Sequence, residues 1–254
     1  MRQAEFDGRG SRIRWTESEG EGPALVYVHG LGSMSAVYHA HLAGHPALVG
    51  RRQLFVDLPG HGISDRPADF GYTLEDHAGA LAAALDAAGV TGAELVAHSM
   101  GGAVAIVLAD RRPDLVTRLV LTEANLDPNP APTAGSSGIA SYTEEEFVHG
   151  GGFPAVLGRV GPLWAATMRL ADPLGLHRTA IGLVRGTEPT MRELLMKLPL
   201  DRTYLVGGLD DCLPGRAELV GSGVRVVTIA DAGHNIMFDN PAAFVREVAG
   251  RAAV

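Results

Sequence analysis

The chain has 254 residues, 46% hydrophobic and 20% charged, a balance that supports one large buried core and excludes a disordered chain. A formal net charge of −8 excludes the basic stripe with which nucleic-acid binders hold phosphates, and Lys197, the only lysine, reads as compositional bias. No run approaches the roughly 20 apolar residues of a membrane span, the N-terminus lacks a signal-like apolar stretch, and Cys212 is the only cysteine, so the expectation is a soluble, cytoplasmic protein without an intrachain disulfide.

An alternating strand is predicted at 11–16, then short Val- and Leu-rich strands at 24–29, 53–58, 93–98, 119–123, 203–207 and 224–229. Their near-continuous apolar character implies burial on both faces, as in a mostly parallel sheet. Helices alternate with them. One covers 74–88, with Thr73 as N-cap, Asp76 three residues on and Gly89 as the stop. A second covers 101–111, and a third covers 241–253, with Asn240 as cap and Pro241 in the first turn. This pattern predicts an α/β fold, a mostly parallel central sheet flanked by helices. The alternation breaks after about residue 126. The stretch 127–138 is rich in Pro, Ala, Gly and Ser and reads as an irregular excursion, and helical segments at 143–149, 153–170, 174–184 and 189–198 follow. The expected organisation is a core of residues 1–126 and 200–254 with a helical cap at 127–199.

The segment Leu95-Val96-Ala97-His98-Ser99-Met100-Gly101-Gly102 runs from an apolar strand through a serine among small residues into a helix. It matches the pattern G-x-S-x-G, with Ala97 in place of the first glycine. A sharp strand-to-helix turn there strains the serine backbone and leaves no room for larger neighbours. Ser99 is therefore a candidate nucleophile at a helix N-terminus, and a simple helix cap is the plainer alternative. Ala230-Asp231-Ala232-Gly233-His234-Asn235 follows the last strand and offers His234 as the base, imidazole titrating near neutrality. The acid is open among three residues. Asp210 comes first, in Gly207-Gly208-Leu209-Asp210-Asp211; Asp211 is a one-residue register alternative; Glu123, closing the strand before, is the third. His29-Gly30-Leu31-Gly32 after the first long strand offers backbone N–H groups, and Leu31 and Met100 are assigned as the oxyanion donors. His29 reads as a turn-shaping residue.

Together, His29-Gly30-Leu31-Gly32, Asp57-Leu58-Pro59-Gly60-His61-Gly62-Ile63-Ser64 and the Ser99 segment with Asp210 and His234 resemble the α/β-hydrolase superfamily over residues 10–126 and 200–254. The resemblance makes 127–199 the variable lid. It favours an acid after the penultimate core strand, hence Asp210. Thr122-Glu123-Ala124 is similar to the site where some haloalkane dehalogenases carry a glutamate, but those enzymes need a carboxylate nucleophile where this chain has Ser99. The function so implied is serine hydrolysis of an ester, lactone or thioester of a fairly apolar small molecule, through an acyl-enzyme and without cofactor or metal. Carbon–carbon bond hydrolysis or a lyase reaction on the same triad is one alternative, and a ligand-binding or signalling protein on a hydrolase scaffold another. The expected partner is a small acyl substrate, with no nucleic acid or membrane, on a monomer or homodimer.

Other features carry no such chemistry. His39, His41 and His45 match no zinc spacing and read as a solvated helix face. Gly150-Gly151-Gly152 lacks the Lys-Ser/Thr of a phosphate loop and reads as a hinge in the lid. Phe153, Leu157, Trp164 and Met168 form an apolar stripe that serves either as core or as substrate pocket; Trp164, Met168 and Phe153 are the candidate substrate-binding residues.

Overall fold

The computed structural model describes residues 1–129 and 136–250. Eight strands form one sheet: β1 (Arg2–Glu5), β2 (Arg12–Ser18), β3 (Glu21–Val28), β4 (Arg51–Asp57), β5 (Ala93–His98), β6 (Val116–Thr122), β7 (Asp201–Gly207) and β8 (Arg225–Ile229). Their spatial order is β1-β2-β4-β3-β5-β6-β7-β8. The β1–β2 and β2–β4 pairs are antiparallel and all the others parallel. The helices are α1 (Ser35–His39), α2 (Leu74–Ala87), α3 (Met100–Arg111), α4 (Glu144–Val148), α5 (Gly152–Arg159), α6 (Pro162–Met168), α7 (Pro173–Arg185), α8 (Met191–Lys197), α9 (Arg216–Gly221), α10 (Ile236–Asp239) and α11 (Pro241–Ala249).

The central strands are buried on both faces because their side chains alternate between two cores. Val26, Val28, Leu54, Val56, Leu95, Ala97, Leu119 and Leu121 face α2 and α3, whereas Leu25, Tyr27, Phe55, Val96, Val120 and Leu205 face α11 and the segment after β3. At roughly 2 kcal/mol for each fully buried Val, Leu or Phe, this double layer fixes the strand register. Local signals act as expected at helix starts. Thr73 Oγ1 accepts the Asp76 N–H, and Asp76 returns a hydrogen bond to the Thr73 N–H. Asn240 Oδ1 accepts the Ala243 N–H at 3.1 Å and opens α11.

The segment between β6 and β7 is helical. The expected helix over 153–170 is two helices, because Gly161-Pro162 breaks it and Pro162 starts α6 at its first turn. Phe147, Val156, Met168, Leu176, Leu183, Met191 and Leu195 join the same hydrophobic cluster as α2 and α3, so these helices share the sheet's core. Of the expected excursion at 127–138, residues 130–135 lie outside the described residues, as do 251–253 of the expected last helix.

Candidate active site

The parallel strands all end on one side of the sheet, and the candidate residues cluster there. Ser99 joins β5 to α3 with φ 51° and ψ −118°, a left-handed backbone that L residues avoid and that costs of order 1–3 kcal/mol. Its N–H donates to the Thr122 carbonyl at 2.9 Å, and its own carbonyl accepts the Gly102 N–H at 2.9 Å. The following glycines are required sterically. A Cβ on Gly101 would lie 2.4 Å from the His29 carbonyl oxygen, and one on Gly102 would lie 2.4 Å from Ala124 Cβ. Met100 is the first residue of α3, where the backbone N–H has no acceptor within the helix.

The other candidate donor, Leu31, sits in the loop after β3, and two contacts shape that loop. His29 Nε2 accepts the Leu58 N–H at 3.0 Å while its Nδ1–H donates to the Gly30 carbonyl at 2.7 Å. Burial lowers the His29 pKa to about 4, so the ring stays neutral and serves the turn. From above, Trp164 of α6 donates its indole N–H to the Leu31 carbonyl at 2.7 Å. Asp57 holds the neighbouring turn, accepting the N–H groups of Ser35 (2.8 Å) and Ile63 (3.1 Å).

His234 lies on the loop after β8. Buried His98 donates from Nε2 to the His234 carbonyl at 3.0 Å, and the two rings stand 4.7 Å apart. The carboxylate facing His234 is that of Glu123, whose Oε2 lies 3.8 Å from His234 Nδ1. Glu123 follows β6 with φ 51°, and its Oε1 accepts the Gly207 N–H at 2.6 Å. It thereby bridges the ends of β6 and β7 and arrives under His234. Burial, with the Glu123 charge second, raises the pKa of Tyr204, whose hydroxyl donates to the Ala124 carbonyl at 2.8 Å.

Of the three candidate acids, Glu123 is the one that lies beside His234, and Asp210, the first choice from sequence, does not pair with it. Beyond Gly207 the chain turns into a short 3-10 helix (Gly208–Asp210), which leaves Asp210 exposed and in no ion pair with His234. Asp211 is likewise exposed; it pairs with Arg216 and accepts the Thr228 hydroxyl at 3.0 Å.

Ser99 and His234 line one cavity of about 320 Å³, with Leu31, Tyr38, Asn125 and Trp164 in its wall. The Ser99 hydroxyl donates to Asn125 Oδ1 at 3.4 Å, and among the described residues no hydrogen bond joins it to His234. Of the apolar stripe on the lid, Trp164 reaches this cavity. Met168 and Phe153, expected beside it, pack into the core instead, Met168 fully buried and Phe153 edge-on to Phe147 at 5.9 Å. Sequence reasoning did not single out Asn125, Tyr38 or Ser33. Asn125 carries one usable signal, a polar residue just past the C-terminal end of a core strand. His39, expected on a solvated face, is fully buried and stacks on Tyr27 at 5.1 Å, because α1 lies against the sheet. Among the described residues no cluster of His, Cys, Asp and Glu could hold a metal ion, and no helix is long and apolar enough to cross a membrane.

A family model described as the alpha/beta hydrolase fold matches residues 23–145. The chain is 28% identical over 260 residues to the dihydrolipoyllysine-residue acetyltransferase component of an acetoin cleaving system from Pseudomonas putida, covering 93% of this chain and 65% of that protein. It is 33% identical over 166 residues to a 2-hydroxymuconate semialdehyde hydrolase from Pseudomonas sp. (strain CF600), covering 64% of this chain and 51% of that protein. The chain thus spans less than two thirds of the length of either relative. Among solved structures, an esterase from Exiguobacterium antarcticum superposes with a TM-score of 0.76 at 21% identity over 96% of both chains, a likeness of fold. With β2 antiparallel to both its neighbours, the other strand pairs parallel and the serine turn between β5 and α3, the chain has the α/β-hydrolase fold, the fold whose family model matches residues 23–145.

Proposed function

We propose that this chain is a serine hydrolase of carboxylic esters, lactones or thioesters, with Ser99 as nucleophile, His234 as base and Glu123 as the acid that orients it. The observation that carries this reading is the strained Ser99 turn opening on the cavity that His234 also lines, with Glu123 Oε2 3.8 Å behind His234 Nδ1. Turning the Ser99 side chain off Asn125 toward His234 frees the hydroxyl for proton transfer. His234 Nε2 takes the proton as Oγ attacks the acyl carbon, and the oxyanion forms against the Leu31 and Met100 N–H groups. The protonated imidazole, its charge balanced by Glu123, returns the proton to the leaving oxygen or sulfur. Water, activated by the same imidazole, then releases the acid from Ser99.

Replacement of Ser99 by Ala tests the reading. The variant is expected to stay folded, to lose ester turnover and to lose labelling by a fluorophosphonate probe. Ester hydrolysis at the parent rate by a folded Ser99→Ala protein refutes the assignment. An unreactive but well-folded parent protein favours a ligand-binding role on the same scaffold. The 2-hydroxymuconate semialdehyde hydrolase relative supports carbon–carbon bond hydrolysis as a second reading on the same residues. Turnover of a vinylogous diketone in preference to nitrophenyl esters identifies it.

A further inference from the structure

The charge of the substrate is written in the walls of the Ser99 cavity. Among the described residues no Arg or Lys lines it. The polar groups around Ser99 are neutral: the Asn125 amide, the Tyr38 and Ser33 hydroxyls and the Asn235 amide. His98 is held neutral by burial. The carboxylate beside the site belongs to Glu123, and it already faces His234, the one group there that gains positive charge in the proposed turnover. A carboxylate carried in on the acyl chain would shed its water, find no counterion and sit near a like charge, an arrangement that proteins strongly disfavour. A cavity of about 320 Å³ also lies at the small end of ligand pockets, leaving little room for such a group to keep its hydration.

We propose that the Ser99 cavity accepts acyl groups that carry no charge and rejects those bearing a free carboxylate. This rests on the hydrolase reading and adds to it a rule of selection. It also separates the two chemistries above, because a muconate is a carboxylate and this cavity offers no cation to hold one.

The test compares monoethyl succinate with diethyl succinate, which share a skeleton and differ by one ionised carboxylate. Ethyl butyrate serves as the neutral reference. Acid release by the full chain is followed in a pH-stat at pH 7.5, and each rate is divided by the alkaline hydrolysis rate of the same ester. The expected result is a kcat/KM for the diester roughly a hundredfold above that of the monoester, as for an unpaired carboxylate in a site without a counterion. A ratio below tenfold, or a preference for the monoester, overturns the inference while leaving the hydrolase reading intact. Failure of all three esters, together with no fluorophosphonate labelling of Ser99, removes the hydrolase reading and this inference with it.

Discussion

The identity of the acid decides how the proposed mechanism is wired, and Glu123→Gln tests it directly. The substitution keeps the side chain's length and an oxygen for the Gly207 N–H but removes the charge 3.8 Å from His234 Nδ1. For an imidazolium–carboxylate pair at that separation, Coulomb's law gives about 4 kcal/mol at an effective dielectric of 20 and about 1 kcal/mol in bulk water. His234 is 57% exposed and Glu123 23%, so the free protein lies toward the weaker limit and a substrate-filled, drier cavity toward the stronger. At 1.36 kcal/mol per factor of ten, the loss in kcat/KM is roughly ten- to a thousandfold from charge alone. Loss of the correct imidazole tautomer deepens it toward the roughly 10⁴-fold typical of an acid-to-amide change. The assay is nitrophenyl ester turnover by Glu123→Gln, Asp210→Asn and the parent, with thermal melts to confirm folding. Asp210→Asn is expected to stay within about threefold of the parent, as suits an exposed residue that makes no ion pair with the histidine. A severe loss in Asp210→Asn with Glu123→Gln near parent activity refutes the reasoning.

Three further outcomes follow from individual contacts. Trp164→Phe deletes the 2.7 Å bond to the Leu31 carbonyl while keeping an aromatic wall. It is expected to lower kcat about tenfold with little change in KM, a fraction of what a lost oxyanion donor costs, and an unchanged kcat removes the indole from that role. Gly102→Ala drives a methyl to 2.4 Å from Ala124 Cβ and should cost about 1–3 kcal/mol of stability, read as a Tm lowered by several degrees along with reduced activity. Burial depresses the pKa of His29 to about 4 and of His39 and His61 to about 3, while it raises Asp57 to about 6. Burial also holds His77 and His98 well below 6.5, so five histidines take up protons only on unfolding, and Asp57, which gains a proton on folding, offsets one of the five. The histidine contribution is complete above the unfolded value near 6.5 and is lost as pH falls below it, so calorimetric Tm should fall from pH 6 to pH 5, and a flat profile contradicts the burial argument.

Much of the fold is legible because parallel strands buried on both faces must be apolar throughout, and β3 to β7 read as such runs. The capping box at Thr73 and the asparagine cap at Asn240 are equally local and appear where the residues place them. Elements that lean on distant partners are less legible. β1 has one buried residue, Ala4, and pairs only with β2, so its own four residues carry little periodicity. His39 looks like a surface residue beside His41 and His45, yet α1 packs on the sheet and buries it. The break between α5 and α6 rests on Gly161-Pro162, a signal present in the chain but outweighed in reading by the apolar repeat around it.

The site divides along the same line. Ser99 and its glycines form a local device, because the strained turn and the space around it constrain the neighbouring residue types, and those types stand in the sequence. The partner of His234 is a matter of three dimensions. β6 pairs with β7 and β7 with β8, all parallel, so a carboxylate just past either β6 or β7 starts at the end of the sheet that carries the His234 loop, and sequence order alone does not choose between Glu123 and Asp210. What separates them is the backbone after each strand. At Glu123 the positive φ and the hydrogen bond to Gly207 turn the side chain across the sheet top, whereas Gly207-Gly208 leads Asp210 outward on a 3-10 turn. A glutamate ending a buried strand is itself a clue, since a carboxylate placed there demands a partner. In this fold that partner is a backbone N–H on one oxygen and the imidazole of His234 on the other.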